Sequence, residues 1–437
     1  MNLTLIVKYE IWLLIALLLC SSFTSAYEIV QNPVTPNNVN ENVCGSKVQE
    51  VMQRINESLI REHLGKLVGF SPRYTATYGC EKSAEYIYNN FEDFGLNVRY
   101  QNWSAFGNRW HPGYFNSQNV EGEKPGTKDD KIILFNAHYD TVENTPGADD
   151  NGGGAAAVLA AAYALSQYDF KHTVRFVTFS GEEIGLLGSH AYAKEAYENQ
   201  DDILVDFNAD MIGNALTADG GSRFRVYGSQ DVEWIMDEIE EINTDYGAGF
   251  NLTRSVLDET ASRGGSDYFS FIEYGYEAIT FFEYEWCEHM HTPEDTLDKV
   301  NFSYLVNTTR LIAGIMAYLA DLEEFSYPHV EIEFPRRGNL YFQGVVKKEI
   351  SDLQTTVIDD IWIWTDVEEG DAPIILAEFY YDDVLEFVDT EAPFKWHFNK
   401  FSLFREHKVT VKIYDQLGRS ASSWMTIRFI NIRTRES

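Results

Sequence analysis

Residues 131–322 alternate between short apolar runs and longer helical segments, and this alternation constrains the fold more than any other feature. Residues 132–137 form a mostly apolar run, as expected of a parallel strand buried on both faces. Further strands are predicted at 173–179, 203–209, 224–227 and 278–282, and helices at 152–166, 182–196, 232–242 and 302–322. This βαβ alternation predicts an α/β fold with a mainly parallel sheet sandwiched by helices.

The flanking regions predict three further segments. Residues 27–44 are rich in Asn, Pro and Val and read as an extended leader, after which helical patterns run over 48–67 and 81–94. After Tyr327-Pro328 the helical period disappears, and short runs rich in Val, Ile, Tyr and Phe recur between turns. The pattern predicts an α/β domain at 45–325 and a small all-β sandwich domain at 328–437.

The N-terminus is typical of a secretory signal peptide. Lys8 precedes an apolar run at 11–20, and Thr24-Ser25-Ala26 resembles a small-residue cleavage site. Ten apolar residues are too few to span a bilayer, which needs about 20. We therefore expect cleavage of residues 1–26 and a secreted protein without stable membrane insertion; an uncleaved anchor that also uses 3–7 is the alternative.

The net charge of −34 argues against nucleic-acid partners, which select basic surfaces. After removal of the signal, three cysteines remain: Cys44, Cys80 and Cys287. They form no Cys-x-x-Cys pair, which argues against a thiolate zinc site. An exported protein allows disulfides, and Cys44–Cys80 is the preferred pair, with Cys287 left as a buried thiol near the site.

Acidic and histidine residues recur just after the predicted strands, where open α/β sheets bind ligands. His138-Tyr139-Asp140 follows the first strand, and residues two apart in an extended chain face the same side. Asp140 can therefore reach the ring of His138, as a carboxylate that orients a metal-binding imidazole does.

Four more clusters follow the same rule. The acidic turn Gly147-Ala148-Asp149-Asp150-Asn151-Gly152 suits a cation, because its two carboxylates would repel a phosphate. Of the adjacent Glu182 and Glu183, one can bind a metal while the other acts as a base. Asp210 ends another strand, and His289 and His291 follow the last one.

In their order and spacing these clusters resemble metallopeptidase family 28, which includes aminopeptidases, carboxypeptidases and glutaminyl cyclases. The resemblance covers about residues 45–325. It implies two zinc ions per chain, one bound by His138, Asp149 and Asp210 and the other by Asp149, Glu183 and His291. It also implies a cis peptide bond after Asp149.

The resemblance further implies that Glu182 is the general base and that Asp140 is the partner of the His138 ring. The protein is therefore expected to be a secreted two-zinc exopeptidase that acts on peptides. An aminopeptidase is the leading expectation.

One position departs from the family pattern. Secreted aminopeptidases of the family often carry a Tyr shortly before Ser-Asp that holds the oxyanion, but Arg263 stands there, before Ser266-Asp267. A guanidinium can stabilise an oxyanion, bind a substrate carboxylate or form a structural ion pair. If Arg263 binds carboxylates, a carboxypeptidase or dipeptidase is favoured.

The sequence is also compatible with two other functions. A glutaminyl cyclase would share most of the ligands but use one zinc ion, and a receptor-like ectodomain would not need the intact ligand set. The partner of the C-terminal domain is open among a surface, a polymer and the α/β domain itself.

Overall fold

The computed structural model describes residues 41–128, 131–229, 232–257, 265–322, 328–350, 355–370, 372–416 and 420–431. The predicted signal peptide at 1–26, most of the predicted leader and Arg263 lie outside the described residues. Within the described residues, no helix combines the length and the apolar character needed to cross a membrane.

The N-terminal helical region consists of α1 (Glu41–Arg54), α2 (Glu57–Gly69) and α3 (Tyr78–Asp93). Residues 41–44 are thus helical and not extended as predicted. The single helix predicted at 48–67 is divided because Asn56 caps α2, its side chain accepting a hydrogen bond from the backbone N–H of Leu59 at 3.1 Å. An antiparallel pair, β1 (Asn97–Phe106) and β2 (Tyr114–Lys124), follows.

The remaining elements of the α/β domain are, in chain order, β3 (Ile132–His138), α4 (Gly154–Leu165), β4 (Thr173–Phe179), α5 (Leu187–Asn199), β5 (Ile203–Ala209), β6 (Arg223–Gly228), α6 (Glu233–Asp245), β7 (Asn251–Val256), α7 (Tyr268–Glu273), β8 (Ala278–Glu283) and α8 (Phe302–Ala320). In the described part of the chain, eight strands form one sheet in the order β1-β2-β4-β3-β5-β8-β6-β7. The central run β4-β3-β5-β8 is parallel, as is β6-β7, while the other neighbours are antiparallel. The prediction of an α/β fold is confirmed, with a mixed sheet that is parallel at its centre.

Helices cover both faces of this sheet because successive strand side chains point to opposite sides. In β3, Ile133 and Phe135 pack in the larger core cluster with α4 and α8, whereas Leu134 packs in another cluster with α5 and α7. The alanine-rich sequence of α4 suits its place, because its small side chains let every residue of the helix except Tyr163 lie buried between the sheet and α8.

The C-terminal part, which we call the β domain, contains β9 (His329–Phe334), β10 (Asn339–Phe342), β11 (Val345–Glu349), β12 (Thr355–Ile358), β13 (Ile361–Glu368), β14 (Ile374–Tyr381), β15 (Val384–Asp389), β16 (Lys395–Phe398), β17 (Ser402–Asp415) and β18 (Ser420–Asn431). Among the described residues they form a seven-stranded sheet, β11-β10-β12-β18-β17-β14-β15, and a three-stranded sheet, β16-β13-β9. One core cluster joins side chains of both sheets, among them Ile363 and Phe398 of the smaller and Val411 and Phe429 of the larger. The region is therefore the all-β sandwich that the sequence predicts.

The disulfide expectation is wrong. Cys80 and Cys287 are both free thiols and both buried. The Cys80 sulfur lies 3.8 Å from the Ser117 hydroxyl, and burial raises the pKa of this thiol to about 12. Cys287 is the buried thiol that the sequence predicts.

Candidate metal centre

The candidate site lies at the carboxyl ends of the neighbouring parallel strands β4, β3, β5 and β8. His138 is the last residue of β3, and Asp210 directly follows β5. The pair Glu182 and Glu183 follows β4, and His291 lies in the loop after β8. Because these strands are adjacent in the sheet, their ends bring the polar side chains of distant chain segments together.

Asp150 stands at the centre of the site, and each of its carboxylate oxygens faces a different histidine. Oδ1 lies 3.5 Å from His138 Nε2, which is also 3.4 Å from Asp210 Oδ1. Oδ2 lies 3.0 Å from His291 Nε2, which is also 3.2 Å from Glu183 Oε2. The structure thus forms two potential metal-binding groups that share Asp150.

The expectation that Asp149 is the shared carboxylate is wrong by one residue. The side chain of Asp149 belongs to neither group, and its Oδ1 accepts a hydrogen bond from Gly213 N at 3.1 Å. Burial, together with the charges of Asp295 and Asp150, raises the pKa of Asp149 to about 8. The cis peptide bond likewise joins Asp150 and Asn151 and not Asp149 and Asp150.

Two residues that the sequence analysis did not single out as functional hold the loop that carries Asp150. The carboxylate of Asp295 accepts hydrogen bonds from the backbone N–H groups of Asp149 at 2.8 Å and Asp150 at 3.1 Å. Arg73 is fully buried and donates to carbonyl oxygens along the same loop. Arg73 lies in the segment Ser71-Pro72-Arg73 and Asp295 in the Thr-Pro-Glu-Asp run after His291, and no spacing rule relates either to the acidic turn.

His138 is oriented from its other ring nitrogen. Nδ1 lies 3.2 Å from the Asp140 carbonyl oxygen and 3.6 Å from Asp140 Oδ1. Asp140 is itself held by Thr75, whose hydroxyl donates to Oδ2 at 2.8 Å, and by the backbone N–H of Glu182 at 3.3 Å from Oδ1. The i, i+2 relation therefore places Asp140 against the ring that it was expected to orient.

Glu182 and Glu183 lie in a turn and not in a helix. The helix predicted to begin at residue 182 begins only at Leu187, as α5. Gly181 has a φ of +84°, a conformation that glycine adopts without strain, and a Cβ there would lie 2.6 Å from the Trp103 ring. The turn points Glu183 towards His291, while Glu182 groups with His138 and Glu183.

The electrostatics show an excess of carboxylates around two imidazoles. Burial, with the charges of Glu183 and Asp210 added, raises the pKa of Glu182 well above its usual value, although His138 opposes the shift. Burial alone would lower the pKa of His138, but the charges of Glu182 and Asp210 raise it well above its usual value. Hydrogen bonds to Asp150 and Glu183 raise the pKa of His291 to about 10.

The donor set fits zinc. Ligand atoms about 2.1 Å from a tetrahedral zinc ion lie about 3.4 Å apart, and the histidine–carboxylate distances here are 3.0 to 3.5 Å. Asp210 Oδ1 is buried and has no hydrogen-bond partner among the described residues, which leaves a lone pair for a cation. Imidazole nitrogens and carboxylate oxygens are ordinary zinc ligands.

The segment that contains Arg263 lies outside the described residues, but the Ser-Asp pair after it is described. Ser266 and Asp267 are fully buried. Burial raises the pKa of Asp267 to about 7, a shift that His138 opposes and that Asp140 and Asp210 increase. The carboxylate of Asp267 therefore interacts electrostatically with the charged groups of the candidate site.

Comparison with known proteins agrees with this geometry. Residues 119–316 match the model of peptidase family M28, and this span contains all the side chains of the two groups. The chain is 26% identical over 303 residues to leucine aminopeptidase 1 of Aspergillus niger, covering 63% of this chain and 73% of that protein. It is 33% identical over 215 residues to aminopeptidase YwaD of Bacillus subtilis, covering 45% of this chain and 44% of that protein. The resemblance recognised from the motifs is thus confirmed over residues 119–316, which match the model of peptidase family M28.

Solved structures share the fold. The zinc aminopeptidase BSAP of Bacillus subtilis matches with a TM-score of 0.53 at 18% identity, covering 62% of this chain and 97% of that one. A glutaminyl cyclase of Fimbriiglobus ruber matches with a TM-score of 0.52 at 19% identity, covering 60% of this chain and 95% of that one. At these identities the likeness establishes the architecture of the α/β domain alone.

Proposed function

We propose that the protein is a two-zinc aminopeptidase that hydrolyses N-terminal residues from peptides. The observation that carries the proposal is the Asp150 carboxylate, whose two oxygens face His138 and His291 at 3.5 and 3.0 Å. Asp210 and Glu183 complete the two sides. The similarity to a leucine aminopeptidase and to aminopeptidase YwaD favours an aminopeptidase over other peptidases.

In this proposal His138, Asp150 and Asp210 hold one zinc ion, and Asp150, Glu183 and His291 hold the other. When bound, two zinc ions would polarise the scissile carbonyl and ease the deprotonation of a water molecule. The carboxylate of Asp150 fixes the separation of the two groups.

Glu182 is the proposed general base. It groups with His138 and Glu183, so its carboxylate faces the same space as the ligands. Its partly buried, acid-rich surroundings favour proton uptake, which suits a group that takes a proton from the attacking water and returns it to the leaving amine. Asp140 keeps the His138 ring in place, and the hydrogen bond from Glu182 N to Asp140 links the base to the same support.

The test combines metal analysis with a substrate panel. The purified protein should contain close to two zinc ions per chain and should cleave aminoacyl substrates with a free N-terminal amine. The same substrates with an acetylated amine should be resistant, and a chelator should abolish cleavage until zinc is added back. Cleavage of N-blocked substrates alone would reject the aminopeptidase in favour of a carboxypeptidase or endopeptidase.

A glutaminyl cyclase is the second candidate, because the fold is shared with such an enzyme. Formation of pyroglutamate from peptides with N-terminal glutamine, together with one zinc ion per chain, would favour it. The presence of all the side chains for two groups favours the peptidase.

We further propose that the protein is exported and that the signal at residues 1–26 is removed. Sequencing of the mature N-terminus from the native host should begin at Tyr27. Retention of residues 1–26 in a membrane fraction would instead establish an anchor.

A further inference from the structure

The short helix α7 connects the candidate metal centre with the β domain. At its N-terminal end lie the fully buried Ser266 and Asp267. At its other end, the last helical residue, Glu273, lies at the interface with the β domain. A contact at the far end of α7 can therefore affect the position of groups at the site.

The middle of α7 packs on the two elements that enclose the glutamate turn. The hydroxyl oxygens of Ser270 and Ser189 lie 2.9 Å apart, both buried, and Ser189 belongs to the first turn of α5. The ring of Phe271 lies 6.2 Å from that of Phe179, the last residue of β4. Since Glu182 and Glu183 connect β4 to α5, a displacement of α7 is passed to both ends of their turn.

Two residues of the β domain, Arg337 and Trp424, contact α7. The guanidinium of Arg337 donates one hydrogen bond to the Glu273 carbonyl and another to the Trp424 carbonyl at 2.7 Å. The side chain of Trp424 packs against the cluster that contains Tyr268 and Ile272 of α7. The guanidinium also lies 5.5 Å from the centroid of the Trp424 ring.

We propose that Arg337 and Trp424 are positioning residues for catalysis, which hold α7 and thereby the glutamate turn in register with the metal centre. The inference rests on the proposed peptidase function. Its physical basis is that a planar guanidinium fixes the direction of its two hydrogen bonds, while the indole fills the space beside the helix. The β domain then serves the α/β domain itself, one of the partners left open by the sequence.

A second contact between the domains provides a control. Lys131 pairs with Glu368 of the β domain at 3.1 Å and with Asp202 at 2.9 Å, and neither carboxylate belongs to α7. Lys131→Ala therefore weakens the docking of the domains without touching the helix. Arg336→Ala removes the same charge as Arg337→Ala from the adjacent, exposed position.

The test compares Arg337→Ala, Arg337→Lys and Trp424→Ala with these two controls in the full chain. Displacement of reacting groups by a fraction of an ångström to an ångström costs about ten- to a hundredfold in rate, so we expect Arg337→Ala to lower kcat by that factor with KM little changed. Zinc content should stay at the wild-type value. The kcat of Arg337→Lys should lie between those of the wild type and Arg337→Ala, because lysine keeps the charge but lacks the planar guanidinium that donates both hydrogen bonds. Trp424→Ala should lower kcat in the same way as Arg337→Ala.

Amide hydrogen exchange provides a readout independent of activity. Exchange across residues 268–273 should quicken in Arg337→Ala and stay at the wild-type rate in Arg336→Ala. Wild-type kcat in folded Arg337→Ala, or an equal fall in Lys131→Ala, would overturn the proposal. If the wild-type protein cleaves no peptide, the proposed function fails. Independently of that, unchanged hydrogen exchange across α7 in Arg337→Ala would show that Arg337 does not hold this helix.

Discussion

Replacing Arg73 with Met should destabilise the protein by about 3 kcal/mol. The guanidinium donates to the carbonyl oxygens of Tyr139 at 2.7 Å, Pro146 at 2.8 Å and Gly147 at 2.8 Å, and the residue is fully buried. Each buried carbonyl left without a partner costs about 1–3 kcal/mol, so the range is about 3–9 kcal/mol. The lower end is expected because Met also removes the cost of burying a charge, a cost also seen in the pKa of Arg73, which burial lowers to about 10.

The prediction is measured by thermal unfolding and by zinc competition with a chelator. A loss of about 3 kcal/mol corresponds to a fall in Tm of about 6 °C for a domain of this size. Zinc affinity should fall as well, because the same loop carries His138 at one end and Asp150 at the other. Arg61→Met is the matched control: Arg61 is half exposed and pairs with Glu57 at 2.6 Å, so its loss should cost less than about 1 kcal/mol. An Arg73→Met protein with wild-type Tm and zinc affinity would refute the reasoning.

Three further predictions follow from the site and its surroundings. Asp150→Asn should lower zinc content and abolish activity, whereas Asp149→Asn should keep the zinc; equal metal loss in both variants, measured by elemental analysis, would reject the assignment of Asp150. Glu182→Gln should abolish turnover while zinc stays near two ions per chain, and loss of metal with activity would instead make Glu182 a ligand. Burial lowers the pKa of His63 to about 4, so the unfolded chain binds more protons between pH 6.5 and 4. The contribution of His63 to the free energy of unfolding is therefore fully present above pH 6.5 and falls by up to about 3 kcal/mol towards pH 4. An equally steep loss in a His63→Leu variant, measured by denaturant titrations, would show that the loss does not come from His63.

Much of the fold follows from local pattern. The strands at 173–179 and 203–209 were predicted with their observed bounds, because a strand buried on both faces leaves a nearly continuous apolar run. The hairpin of β1 and β2 was missed, since its strands mix polar and apolar residues without such a run. The helix predicted at 182–196 began too early, because glycines with positive φ keep the glutamate pair in a turn.

The placement of polar residues after strands was sufficient to identify His138, Glu183 and Asp210 as members of one site. It was not sufficient to choose between Asp149 and Asp150. The two are adjacent and of the same type, and they differ only in the direction of their side chains within an irregular turn. That direction depends on hydrogen bonds from Gly213 to Asp149 and from the loop to Asp295, which are distant in sequence.

The sequence by itself therefore determined the class of fold, the resemblance to peptidase family M28 and the residue types of the candidate metal centre, because these depend on periodicity and on residue types at strand ends. Only the tertiary structure decided which carboxylate is shared between the two groups and that Cys80 is a free thiol. It also decided that the β domain holds α7 through Arg337 and Trp424. These features depend on the direction of single side chains and on contacts between distant segments, and no local pattern encodes either.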